Sequence, residues 1–189
     1  MAGAGNPPCA LPGPFAMNVL FTAGTQFPFA RMARVVERVA ERCPEWRLVF
    51  QAGPGASDSA LPGCTTAHAN LNVAPMFPQE EFEALFQQAE LVVTHAGMGN
   101  LLLCLERAKP FFMLPRLASL REHRNDHQRD TAEAISERYG VPVFFELEPL
   151  VEAIICVPKE APPALVLREA IERERRAFAK RLNSLVESL

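Results

Sequence analysis

The sequence predicts an α/β fold: a parallel sheet of about six strands flanked by helices. Three observations predict it. Short apolar runs rich in valine and phenylalanine recur along the chain. Between them lie segments whose apolar residues return every three or four positions, the spacing of a helix that buries one face. The two patterns alternate, and strand–helix–strand connections of this kind give right-handed crossovers and parallel pairing.

Met17-Asn18-Val19-Leu20-Phe21-Thr22 reads as the first strand and ends in the turn Ala23-Gly24-Thr25-Gln26. From Phe29 to Arg42, the residues Phe29, Met32, Val35, Val36, Val39 and Ala40 fall on one helical stripe. Trp46 to Gln51 is a second strand, closed by Gly53-Pro54-Gly55, and Ala56 to Ala67 is a Ser/Pro/Gly-rich loop. Leu71 to Ala74 is a short third strand. Pro78 and the acids at Glu80 and Glu81 open a helix that runs through Phe86. Leu91 to Thr94 is the fourth strand, and a helix through Glu106 follows it. Phe111 to Leu114 is the fifth strand, and Pro115 to Asn125 a polar, arginine-rich loop. A helix spans about Asp126 to Tyr139 before Gly140, and Val141 to Phe145 is expected as a sixth strand. Leu165 to Leu189 forms a long charged helix with an apolar stripe at Leu167, Ala170, Ile171, Phe178, Leu182 and Leu185, interrupted at Glu174.

Three regions result. Residues 1–15 are small and Pro/Gly-rich, a disordered lead-in. Residues 16–160 form the α/β domain, and residues 161–189 the terminal helix, which suits partner docking. At 189 residues the chain suffices for one such domain. The net charge of −3 gives no basic field for nucleic acid. Five scattered cysteines without a CxxC pair argue against metal ligation and against a disulfide framework, and for reduced thiols in a cytosol. No apolar run approaches the roughly 18 residues that cross a bilayer. The N-terminus has no positive region ahead of its apolar residues, so no secretory signal is expected.

The stretch Leu91 to Asn100 carries the strongest chemical signal. A buried strand breaks at His95-Ala96-Gly97-Met98-Gly99-Asn100 into a glycine turn and a helix. The first amides of that helix are unpaired, with the positive end of the helix dipole behind them, which suits an anion such as phosphate. An ordinary strand-to-helix turn with packing glycines fits the same residues. Ligands of parallel α/β sheets bind outside the carboxyl ends of the strands. Three polar turns are expected there: Gly24-Thr25-Gln26, His95 to Asn100, and the loop from Arg116 to Gln128. Three such turns on one edge favour a nucleotide-type ligand.

The run His95 to Asn100, then Ala108-Lys109-Pro110, then His123-Arg124-Asn125-Asp126-His127-Gln128, resembles the C-terminal, donor-binding half of GT-B glycosyltransferases of the MurG type, glycosyltransferase family 28. It is most similar to single-domain versions. These are PssE-type exopolysaccharide glycosyltransferase subunits and the soluble subunit of the two-part enzyme that adds the second GlcNAc to dolichol-linked oligosaccharide. Thr22 to Phe29 matches the TxGTxxPF opening of those subunits. The resemblance spans Met17 to Phe145 and implies a Rossmann-like domain, the C-terminal half of a GT-B fold.

It also implies a UDP-sugar substrate, an inverting transfer and no cofactor. The donor diphosphate falls to Gly24, Thr25, Gln26, His95, Ala96, Gly97, Met98, Gly99 and Asn100. The sugar hydroxyls fall to Asn125, Asp126, His127 and Gln128. The general base is expected on a separate, membrane-associated partner that binds a lipid-linked acceptor. This chain would then be cytoplasmic, recruited to the cytosolic face of a membrane, and inactive alone. His95 is a candidate base by residue type, but the resemblance leaves it a structural or donor-contact role. His123, Asp126 and His127 suit sugar contact as well as metal, and this type of transferase needs no metal.

One position departs from the family. Relatives carry a ribose-gripping glutamate in the helix after the glycine turn, where this chain has Leu103; Glu106 is expected at the surface. Arg116, Arg121 and Arg124 either offset diphosphate charge or face solvent. Two other functions stay open. A UDP-sugar-binding regulatory module without transferase activity is favoured by Leu103. A nicotinamide oxidoreductase has only Gly97-Met98-Gly99 as half a fingerprint, after the fourth strand rather than the first.

Overall fold

The computed structural model describes residues 17–54, 68–157 and 163–187. The expected lead-in at 1–15 and the loop at 56–67 lie outside them. Five parallel strands form one sheet in the order β3-β2-β1-β4-β5. They are β1 (Asn18–Thr22), β2 (Arg47–Gln51), β3 (Leu71–Ala74), β4 (Leu91–Thr94) and β5 (Phe111–Met113). The helices are α1 (Ala30–Arg42), α2 (Gln79–Gln88), α3 (Met98–Glu106), α4 (His127–Tyr139), α5 (Leu147–Ile155) and α6 (Pro163–Glu187). Chain direction across the sheet reverses between β1 and β4, which pair with Thr22 beside Thr94.

Both faces of the sheet are buried, and the strands divide their side chains between them. Val19, Phe21, Leu48, Phe50, Leu91 and Val93 pack with Met32, Val35, Val36 and Val39 of α1 and with Leu150, Val151 and Ile154 of α5. Leu20, Val49, Val92, Phe111 and Met113 face the other way, towards Phe86 of α2, Leu101 and Cys104 of α3, and Ala132 of α4. Alternation along each strand with both sets buried is what a parallel sheet covered by helices requires. Each large apolar side chain so buried contributes roughly 1.5–3 kcal/mol.

Two elements differ from the sequence expectation. Val141 to Phe145 does not form a full strand: it touches the sheet through a single parallel bridge, Val143 to Met113. The Phe144 amide donates to the Met113 carbonyl at 2.8 Å and the Met113 amide to the Pro142 carbonyl at 3.1 Å. Pro142 has no N–H to extend the ladder. Among the described residues the sheet therefore has five strands. The helix α5, unforeseen, follows directly. Leu147, Leu150, Val151 and Ile154 have helical spacing, and Pro149 sits in the first turn, where a missing N–H costs nothing.

On α6, Ala170 is buried and Ile171 packs on the second core, while Arg138 of α4 pairs with Glu174 at 2.5 Å. Beyond that ion pair Phe178 is exposed. The side chains at Leu167, Leu182 and Leu185 lie outside the described residues. No helix among the described residues is long and apolar enough to cross a membrane.

Candidate functional site

A cavity of about 390 Å³ opens at the carboxyl edge of the sheet, over the β1–β4 reversal. Three loops build it. The β1–α1 loop contributes Ala23, Gly24, Thr25, Gln26 and Phe27. The β4–α3 turn contributes His95, Gly97, Met98, Gly99 and Asn100. The β5–α4 segment contributes Arg116, His123 and Gln128, and Gln51 closes the floor from the end of β2. Among the described residues no carboxylate lines it.

The β4–α3 turn is shaped by His95. Gly97 precedes α3 in an extended conformation, and no side chain caps the helix. The first helical bond runs from the Leu101 amide to the Gly97 carbonyl at 3.1 Å. The amides of Met98, Gly99 and Asn100 thus precede the first bonded turn of the helix. A Cβ on Gly97 would stand 2.3 Å from His95 Nε2, and one on Gly24 at 2.5 Å. The imidazole thus lies between two glycines from two loops, and Gly24 also has φ +81°. At Gly99 a Cβ would meet nothing. Ala96 is buried and left-handed, φ 63°, which costs an alanine about 1–2 kcal/mol.

Burial, followed by the nearby Arg116 charge, pushes the His95 pKa down to about 4. The Thr22 main chain opposes this more weakly, and no well-formed hydrogen bond reaches the enclosed Nδ1. The ring is neutral at pH 7. Asn100 donates through Nδ2 to Thr22 Oγ1 at 2.6 Å, and Thr22 Oγ1 lies 3.2 Å from Thr94 Oγ1. This ties the first turn of α3 to the ends of β1 and β4.

The β5–α4 segment is held by charge. Arg116, 2% exposed, donates to the carbonyls of Ala23, Phe27 and Pro28 at 2.7, 2.5 and 2.7 Å, and stacks 4.4 Å over the Phe29 ring. Its pKa falls to about 10 through burial, so it stays charged. Its own amide donates to Gln128 Oε1 at 3.1 Å. Arg31 of α1 bridges Glu122 and the carbonyls of Pro115 and Phe145. Glu122 also accepts from the Leu117 amide at 3.1 Å.

Of the residues expected at the sugar, Gln128 lines the cavity. Asn125, Asp126 and His127 are exposed outside its lining. Asp126 Oδ1 accepts from the Ala118 amide at 3.0 Å, and Asn125 Oδ1 lies 3.0 Å from His123 Nδ1. His123 faces the cavity beside Phe27, ring centroids 6.5 Å apart. Arg121 and Arg124 are exposed. Leu103 lines a separate groove between α2 and α3 with Phe82 and Phe86, and Glu106 is exposed. Among the described residues, the group whose donor atoms approach metal-binding distance is Glu37, Glu41 and His68, none of which lines the cavity. Gln51 and Glu122 were not foreseen. Gln51 had a signal: a polar residue ending an otherwise apolar strand.

The sheet order and a polar cavity at its reversal point define a doubly wound α/β domain, and solved structures match it as the C-terminal half of a GT-B fold. The kitacinnamycin glycotransferase matches with TM-score 0.62 and 23% identity, over 92% of this chain and 43% of that one. MurG of Acinetobacter baumannii matches with TM-score 0.57 and 15% identity, over 94% and 51%. The glycosyltransferase VinC, solved in complex with dTDP, matches with TM-score 0.60 and 17% identity, over 95% and 44%. The chain spans about half the length of these structures. A comparison with curated proteins finds no match. The family model for the glycosyltransferase family 28 C-terminal domain matches residues 18–162, and the chain belongs to that family.

Proposed function

We propose that this chain binds a UDP-sugar and is the donor-binding subunit of a two-component inverting glycosyltransferase. The observation that carries the reading is the cavity at the β1–β4 reversal: among the described residues it has no carboxylate, and it has a buried arginine and the uncapped start of α3. Such a site favours a diphosphate. The dTDP in VinC supports a nucleoside diphosphate of this kind.

In the proposed reaction, an acceptor hydroxyl attacks the anomeric carbon from the face opposite the diphosphate. The new C–O bond forms as the anomeric carbon–phosphate oxygen bond breaks, and UDP leaves with the electron pair. The α3 amides stabilise the charge that develops on it. The hydroxyl proton goes to a general base on a membrane-associated partner, which also binds the lipid-linked acceptor. His95 is a poor base, because its pKa is low and Nδ1 is enclosed. Gln128 meets the sugar hydroxyls from the cavity wall, with Asn125, Asp126 and His127 entering from its margin. In this reading the partner would bring the chain to the cytosolic face of a membrane.

Titration with UDP and UDP-sugars by calorimetry tests the donor reading: micromolar binding is expected, and absence of binding refutes it. Sugar transfer at full rate by the purified chain alone refutes the two-component arrangement. Leu103 favours the second reading, a UDP-sugar-binding regulatory module, because it packs against α2 and offers the ribose no acid. Binding with no turnover beside any acceptor-binding partner would select it.

A further inference from the structure

We infer that Arg116 is a positioning residue of this site: it turns the carbonyls of the β1–α1 loop away from the ligand and sets a positive charge behind that loop. The inference rests on the reading of the cavity as a nucleoside-diphosphate site. Arg116 grips the carbonyls of Ala23, Phe27 and Pro28, three acceptors from one short loop. A planar guanidinium can bridge several acceptors at fixed angles, which a lysine ammonium cannot. Carbonyl oxygens so engaged do not present lone pairs to phosphate oxygens.

The charge is also unusual in its surroundings. Buried arginines are ordinarily matched to a carboxylate. Among the described residues no carboxylate forms an ion pair with Arg116. The nearest acid by influence, Glu122, is bonded to Arg31 and to the Leu117 amide instead. Three neutral carbonyls solvate the guanidinium without cancelling its charge. Its field reaches the β4–α3 turn, where it helps to hold His95 neutral. Three of the five guanidinium N–H donors of Arg116 are engaged with the loop, so it acts on the diphosphate chiefly through the loop it holds and through its field.

The test compares wild type, Arg116→Gln and Arg116→Lys by calorimetry with uridine, UDP and inorganic pyrophosphate. Arg116→Gln is expected to weaken UDP and pyrophosphate by about tenfold or more and uridine by less than about threefold. Arg116→Lys keeps the charge and loses the bridge, and is expected between wild type and the glutamine variant. Equal weakening of UDP and uridine, or no weakening of UDP, overturns the inference. Should the glutamine variant fail to fold, the lysine variant decides: a reduced preference for UDP over uridine supports the role, and an unreduced one overturns it. A wild-type chain that binds neither UDP nor pyrophosphate refutes the reading of the cavity itself, a result distinct from any variant outcome.

Discussion

The cavity has two walls, built in opposite ways. One is the pair of turns after β1 and β4, which presents main chain: glycines at 24, 97 and 99 and the uncapped amides of α3. The other is the segment after β5, several of whose polar side chains are bonded to neighbouring main chain or to α1. Arg116 holds three carbonyls, Glu122 holds Arg31 and the Leu117 amide, and Asp126 holds the Ala118 amide. The first wall leaves main-chain donors for a diphosphate; the second mostly holds a shape, with His123 and Gln128 facing the cavity. Diphosphate binding and rigidity thus fall to different segments, and substitutions in the two walls should fail differently.

The largest expected effect is at Gly97. Its φ of −74° suits any residue, so the cost of Gly97→Ala comes from the Cβ placed 2.3 Å from the imidazole. Gly24 lies close on its other side, so the ring can give only towards the cavity. A loss of about 3 kcal/mol is expected, read by thermal or denaturant unfolding, together with loss of UDP binding. Combining Gly97→Ala with His95→Ala should bring stability back to within about 1 kcal/mol of the His95→Ala variant. If the pair is simply additive, the ring is not what requires glycine at this position.

The second wall should break at Glu122→Gln. The change leaves Arg31, 11% exposed at its side chain, without its carboxylate. Removing one partner of a largely buried ion pair costs several kcal/mol when burial is complete; here about 2–3 kcal/mol is expected. UDP affinity, measured below the melting temperature, should change by no more than about threefold. Unchanged melting with collapsed affinity would mean that the segment binds UDP directly, and the division between walls would be wrong.

The first wall was legible because its signals are local. Gly97, Gly99 and Asn100 follow a valine-rich strand, and a strand breaking into a glycine turn and helix has one geometry. Even so, the need for glycine at 97 lies in the ring of His95 and in Gly24, far away in sequence. The second wall was legible only as a polar loop. Arg116 reads as offsetting diphosphate charge or facing solvent, not as a buried loop brace, because its partners are main-chain carbonyls, which have no letter in the sequence. Val141 to Phe145 reads as a strand by side-chain preference, yet strands are completed by amides, and Pro142 lacks one. The helix at Leu147–Ile155 was hidden by Pro149, which is harmless in a first turn.

The pH dependence of the fold offers a third comparison, centred on His95. Its pKa is depressed to about 4 in the folded chain against about 6.5 unfolded, so the unfolded chain takes up the proton first as pH falls. The stabilisation from the neutral ring is complete above pH 6.5 and is lost as pH drops towards 4. A loss of roughly 2 kcal/mol over that window is expected, allowing for the part of the ring that solvent reaches. Subtracting the stability curve of His95→Gln from that of wild type isolates it. A flat difference curve would show that the ring is not held neutral. UDP should narrow the window, because a bound diphosphate favours the imidazolium.

Gly99→Ala carries the smallest expected change in stability, and it sharpens the comparison most. Gly97 and Gly99 flank one residue and share one turn, yet a Cβ on the first meets a ring and a Cβ on the second meets nothing. Alanine at 99 should therefore leave stability unchanged or raise it by up to about 1 kcal/mol, since alanine favours a helix over glycine. The empty space beside Gly99 belongs to the cavity. A methyl group there stands where a phosphate must approach the α3 amides, so UDP affinity should fall about tenfold while uridine affinity holds. Gly97 is then required by the fold and Gly99 by the ligand. Undiminished UDP binding in Gly99→Ala would move the diphosphate off the start of α3, and with it the chemistry assigned to this wall.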